Sequence, residues 1–174
     1  MKFPRRVLPG CTITRVRAAL ILLAVLPIGP TAADTIFLAT NESVDGSPCP
    51  GPLPLREGLS AALFEKGHIV FDDVEVTSTP PAEGLAALAL SGGAAWVLEA
   101  MVGFDEERIN TGLVRVAAET RWRLTRAADG SAAADGTLAS SNQGREKRVD
   151  RAGLGLEIGA TIARAISAAL APGR

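Results

Sequence analysis

Cys49, the one cysteine outside the N-terminal leader, and His68, the one histidine in the chain, are the residues whose chemistry is hardest to set aside. A histidine base needs a nucleophile or an acid to work with, and a zinc ion needs three or four protein ligands. One histidine and one cysteine cannot build the usual nitrogen and sulfur ligand sets within a single chain. His68 is therefore expected as a surface residue at a helix C-terminus, with neither a catalytic nor a metal role. Cys49 sits between Pro48 and Pro50, outside any C-x-x-C pair, and its nearest basic neighbour in sequence is Arg56. Nothing in that pattern activates a thiolate. In an oxidising compartment such a cysteine keeps its thiol or bridges to a second chain, since no internal disulfide is available.

The acidic groups Asp72, Asp73, Glu75 and Asp105, Glu106, Glu107 lack the alternating donors, central glycine and distant glutamate of a calcium loop. They read as charges on a strand end and on a hairpin loop. "GLGLEIG" (153–159) is G-x-G-x-x-x-G, follows a polar connector where a dinucleotide loop needs a strand, and leaves too little chain for a further βαβ unit. No G-x-S-x-G, P-loop or H-E-x-x-H occurs, and tyrosine is absent. These patterns predict no catalytic residue, no cofactor and no metal, and hence no enzyme. "REKRVDR" (Arg145, Lys147, Arg148 and Arg151, diluted by Glu146 and Asp150) reads as a solvated connector. A row of alternate residues, Arg115, Glu119, Arg121 and Arg123, is the candidate interaction surface. Arginine suits interfaces because its planar fork makes several oriented hydrogen bonds. The same mixed charge would also keep an open sheet soluble.

The elements that must position these residues begin after a leader. "MKFPRRVLPGCTITRVR" is basic without an acid, "AALILLAVLPIG" is an apolar run of about a dozen residues, and "PTAAD" offers small residues for cleavage near Ala33. Residues 1–33 are read as a signal peptide, by the general secretory or the twin-arginine route, and 34–174 as a single periplasmic domain. Cys11 precedes the apolar run, so it does not read as a lipid-anchor cysteine. The leader holds five of the 18 Lys and Arg, leaving 13 against 19 Asp and Glu, a net charge near −6. That balance disfavours nucleic acid and anionic bilayers as partners. No stable membrane span is expected once the leader is removed.

Along the mature chain, "TIFLATNE" predicts a short strand and "SVDGSPCPGP" a loop. A helix follows, with Pro54 in its first turn, Leu55, Leu59, Ala62 and Leu63 on one face, and Gly67 as its left-handed stop. "HIVFDDVEV" predicts a strand and "TSTPPAEGLAALALSGG" a helix capped by Thr79, with Pro80 first and Leu85, Leu88 and Ala89 as its stripe. "AAWVLEAMVGF" is a long strand, with "DEERINTG" as the loop that turns the chain. "LVRVAAETRWRLT" alternates strictly, as a strand with one face on the core and the other in water. "AADGS" is a turn, "AAADGTLASS" a returning strand, and "LEIGATIARAISAAL" a helix with the stripe Ile158, Thr161, Ile162, Ala165 and Ala169, broadened by Ile166 and Leu170. The fold class is α/β (α+β): a mixed sheet of about five strands in the order β-α-β-α-β-β-β-α, with the helices mainly on one face.

Three segments carry a family resemblance. "LREGLSAALFEKGHIVFDD", "GGAAWVLEAMV" and "WRLTRAADGSAAADG" resemble the helix-strand, small-residue strand and strand-turn-strand segments of the TolB amino-terminal-like domains. That group of bacterial envelope domains includes the curli export pore subunit and lipoprotein activators of penicillin-binding proteins. Ala95 and Arg126 stand where the family usually carries acids, and Ala100 where it carries glycine. The resemblance implies a soluble periplasmic domain that works by binding other proteins, with no catalytic residues to carry over.

The expectation is then a non-enzymatic interaction or accessory module of the bacterial envelope that binds another envelope protein by the polar sheet face or a sheet edge, with homo-oligomerisation left open. The alternative is a periplasmic binder of a small molecule or cell-wall polymer, with its pocket near Cys49 and Asp72-Asp73.

Overall fold

A computed structural model describes residues 33–49, 51, 53–72, 82–110, 112–145 and 150–171. Residues 1–32 of the leader, Pro50, Asp73, Glu75, Thr79, Pro80, Glu146, Lys147 and Arg148 lie outside the described residues.

The strands are β1 (Thr35–Val44), β2 (Ser47–Pro48), β3 (Ile69–Asp72), β4 (Trp96–Asn110), β5 (Leu113–Arg126) and β6 (Ala132–Arg145). The helices are α1 (Pro54–Glu65), α2 (Ala82–Ser91) and α3 (Arg151–Leu170). All six strands form one mixed sheet. β1 lies parallel to β4 on one side and to β3 on the other, while β4, β5 and β6 make an antiparallel meander. The predicted class and order hold. One small strand is added, because β1 runs to Val44 and turns through Asp45-Gly46 into β2. Gly46, at φ +77°, takes a conformation that suits a residue without a Cβ.

The alternation in β5 does what its period implies. Val116, Ala118, Thr120, Trp122 and Leu124 are buried, while Arg115, Glu119, Arg121 and Arg123 face solvent. The buried set joins Ile36 and Leu38 of β1 and Leu98, Ala100, Val102 and Phe104 of β4 under α1 and α3. Leu55, Leu59 and Leu63 of α1 and Leu154, Ile158, Ile162 and Ile166 of α3 complete this core.

The helices lie mainly on one face, as expected: α1 and α3 share it, and α2 lies on the other. Phe37 and Val97 alternate with the main-core residues, so they point to the sheet's other side, where Leu85 and Ala89 of α2 cover them. α2 closes only one end of that second face. The rest is open.

Three expectations are corrected. The acidic "loop" Asp105–Asn110 is strand, paired with the start of β5, so the chain turns only after Asn110. α3 begins at Arg151, within the expected connector, because Asp150 caps it by accepting from the Gly153 N–H at 2.8 Å. Its buried stripe is also rotated: Ala165 is exposed, while Gly155, Gly159 and Ala163 are buried. Those glycines let the helix backbones touch. A Cβ on Gly159 would lie 2.4 Å from the Gly58 carbonyl carbon, and one on Gly58 would lie 2.4 Å from the Gly155 oxygen. By length and composition α3 is apolar enough to cross a membrane. In this fold it packs on α1 and the sheet.

Candidate functional site

The open part of the second sheet face carries the candidate surface. The strand register sets Asn41 of β1, Met101 of β4, Arg121 of β5 and Thr137 of β6 side by side. The row before it runs Ala39, Glu99, Arg123 and Asp135. Between them lies a shallow groove of about 260 Å³ bordered by Ala39, Asn41, Glu99, Met101, Arg121 and Arg123. Met101 is 55% exposed on this face. A large apolar side chain in a groove bordered by two guanidinium groups and the Glu99 carboxylate offers both contact area and oriented hydrogen bonds.

The expected row of four therefore divides. Arg121 and Arg123 border the groove. Glu119 lines an adjoining hollow with Asn41, Ser43 and Met101. Arg115 lies at the far end, where its Nη2 is 3.0 Å from Glu107 Oε2 in an exposed pair. Glu99, Met101 and Asn41 were not singled out from sequence. The signal for the first two was present in β4, whose buried positions alternate with them, but Asn41 joins only through the β1–β4 pairing.

On the opposite side, Glu42 points into the protein at 5% exposure. Its carboxylate accepts from the N–H groups of Leu55 at 3.1 Å and Arg56 at 2.8 Å, closing the first turn of α1. Burial pushes its carboxyl above the ordinary range, and the two N–H bonds oppose that shift without cancelling it. The Arg56 guanidinium in turn pairs with Asp72 at the end of β3.

His68 is not the surface residue expected at a helix end. It is 8% exposed, with Nε2 3.1 Å from Ser167 Oγ and Nδ1 3.9 Å from Asp34 Oδ2. Asp34 Oδ1 also accepts from Trp96 Nε1 at 3.2 Å. Serine, histidine and aspartate in sequence around an imidazole are the residue types of a nucleophilic triad. Ser167, however, lies within α3, where backbone N–H groups are engaged by the carbonyls one turn earlier. Its own helix therefore offers no free pair of backbone donors for a developing oxyanion. The arrangement fastens the end of α1 and the start of β3 to α3, a packing role that His68's sequence neighbours do not reveal.

Cys49 likewise faces a group that sequence distance concealed. Its Sγ accepts from Arg151 Nη1 at 3.4 Å, and Arg151 Nε is 2.9 Å from Glu106 Oε1. Two expected surface clusters are thus joined: Glu106 from the acidic run meets Arg151 from the basic one. Asp72 and Cys49 of the expected pocket are thus engaged by Arg56 and Arg151, while Pro50 and Asp73 lie outside the described residues, and the groove lies on the other face of the sheet. Among the described residues, no group of three or more His, Cys, Asp or Glu side chains is gathered as a metal site.

No protein-family model matches the chain, and no curated protein matches it in sequence. Solved structures do resemble it. The hypothetical protein CT253 from Chlamydia trachomatis aligns at 15% identity over 82% of this chain and 100% of that one, with a TM-score of 0.56. The PelC dodecamer subunit from Paraburkholderia phytofirmans aligns at 14% identity over 79% of this chain and 88% of that one, with a TM-score of 0.51. A fainter likeness, at a TM-score of 0.41 and 16% identity, pairs 79% of this chain with 28% of TolB from Acinetobacter baumannii. The α+β architecture read from the sequence is thus shared with CT253 and the PelC subunit. At these identities the likeness defines a fold, an α+β domain with a mixed sheet, and nothing finer.

Proposed function

We propose that this chain is an exported, non-enzymatic accessory module of the bacterial cell envelope that binds another envelope protein through the open sheet face. The observation that carries the reading is the groove beside Met101, with Arg121 and Arg123 on its rim and α2 stopping short of it. It continues along the same face into open hollows of about 340 and 480 Å³ beside Glu119 and Asp135, so the face is an extended open surface where small-molecule sites are usually enclosing clefts. A shallow, mixed-charge face with an exposed methionine suits a protein side chain or loop better. The basic, apolar leader with a cut near Ala33 supports export and a periplasmic domain from residue 34. The fold shared with a subunit of the PelC dodecamer supports an assembly role.

The test is crosslinking in intact cells followed by capture of the tagged chain. One dominant envelope protein should be captured by the wild type and lost in the Arg121→Glu/Arg123→Glu variant, with the variant's circular dichroism and melting temperature unchanged. Equal capture by both chains would remove this face from consideration. A rise in melting temperature with small molecules or cell-wall fragments, in the absence of any captured protein, would favour the ligand-binding alternative.

A further inference from the structure

The two sides of the sheet end differently. Beyond β1 the edge is occupied, by β3 along Thr35–Leu38 and by β2 at Ser43 and Val44. Beyond β6 no strand among the described residues pairs, and β6 is 14 residues long. Long edge strands are ordinarily blunted by lysine, proline or a bulge, because their unpaired N–H and C=O groups are a template for another chain. β6 holds no lysine and no proline. Its one irregularity, opposite Leu124 and Thr125, comes before Asp135, so Asp135–Arg145 follows β5 in unbroken register. Within β6 the charged residues are Asp135 and Arg145, one at each end of that unbroken stretch.

We propose that β6 is a self-pairing edge, on which a second copy of this chain adds its own β6 antiparallel, centred on Ser140. The charges select the partner and the register together. Asp135 and Arg145 are each five residues from Ser140, so antiparallel pairing about that residue sets Asp135 of each copy opposite Arg145 of the other. Their separation of ten residues is even, which puts both side chains on the same face of the strand. An antiparallel pair related by a two-fold axis keeps each face continuous across the seam, so the opposed residues meet on one side. Moving the register by two residues one way sets Asp135 opposite Gln143 and Arg145 opposite Ala133, and moving it two the other way sets Arg145 opposite Thr137 and carries the counterpart of Asp135 past the end of β6. A one-residue shift sets side chains on the wrong face. An unrelated strand would have to carry the same two charges at the same spacing, whereas β6 itself already does. The dimer closes on itself, because each copy has one such long edge, while on the other side β2 and β3 pair with both ends of β1. The open faces of both copies would then form one surface. This inference is independent of what binds that face.

The test uses the purified full-length chain. Light scattering over a range of concentrations should give a dimer mass. Asp135→Arg and Arg145→Asp should each weaken the dimer about tenfold, as like charges replace opposed ones in both symmetric pairs. The double variant Asp135→Arg/Arg145→Asp should restore it. In a background with Cys11 and Cys49 changed to serine, Ser140→Cys should form an interchain disulfide on mild oxidation, since directly opposed Cα atoms lie within bridging distance. Thr137→Cys should not, as its counterpart across the seam is Gln143. A monomer mass at all concentrations overturns the proposal. So does a dimer that is indifferent to the charge swap, or one crosslinked through Thr137→Cys and not through Ser140→Cys. Unchanged circular dichroism in each variant separates loss of pairing from loss of fold.

Discussion

The Glu42 carboxylate accepts the Arg56 N–H at 2.8 Å, so a strand residue supplies the N-terminal cap of a helix that begins a dozen residues later. Leu53, the residue at the cap position, offers no side-chain acceptor. Pro54 at the first position needs none, and the next two N–H groups, of Leu55 and Arg56, go to Glu42. The buried charge is tolerated because it meets those donors at the positive end of the helix dipole. Glu42→Ala should cost about 1–2 kcal/mol in chemical denaturation at neutral pH, the range for losing a helix cap.

Glu42 also sets a pH dependence. Its folded carboxyl binds a proton more tightly than the unfolded one, whose ordinary value is 4.5. The folded state therefore holds more protons in the window above 4.5, and stability from this group, complete below that value, declines as pH rises through the folded value. Unfolding free energies of the wild type and Glu42→Gln, compared from pH 4 upward, should show the wild type's relative stability falling across that window. A relative stability that climbs instead would mean that the two N–H bonds outweigh burial.

The contact between α1 and α3 admits no side chain at its centre. Gly159→Ala would bring a methyl group to 2.4 Å from backbone of α1, which cannot rotate away as a side chain would. Alanine's helix preference of about 1 kcal/mol over glycine acts the other way. Overpacking should prevail, with a net loss of about 1–2 kcal/mol and a lower melting temperature. Gly159→Leu should unfold the domain or force the helices apart.

Thr120 offers a change in the opposite direction. It lies on the buried face of β5 at 1% exposure, and its Oγ1 has no hydrogen-bond partner among the described residues. Thr120→Val keeps the branched shape and removes the hydroxyl, and should stabilise by about 1 kcal/mol. The measurement is the melting temperature, which should rise. A fall would show that the hydroxyl is satisfied in solution.

Arg115 serves as the control for the partner face. Its pairing with Glu107 is exposed on both sides, so Arg115→Ala should change stability by less than about 0.5 kcal/mol. It should also weaken partner capture less than Arg121→Glu, because it stands apart from the groove. Equal losses from both would extend the binding surface along the whole of β5.

Much of the fold was legible locally. The two-residue period of β5, the left-handed glycine after α1 at Gly67 and the turn at Gly130 each depend on near neighbours, and each appears as read. Arg121 and Arg123 were legible as exposed for the same reason: strict alternation leaves no other face for them. The groove they border was not, because it needs β1 beside β4, and strand neighbours are chosen by crossovers that no local period records. His68 shows the limit most plainly. By sequence it follows a helix end and looks exposed, yet it is covered by Ser167, which is 99 residues away in the chain. The sequence by itself determined the elements, their order and which side of β5 meets water, since backbone geometry and hydrophobic period act over a few residues. Only the tertiary structure decided that α2 crosses to the second face, that Glu42 caps α1, that glycines join α1 to α3, and that β6 is left at the edge. Those outcomes depend on which surfaces exclude water from one another after the chain has closed, and on burial shared by residues far apart in sequence.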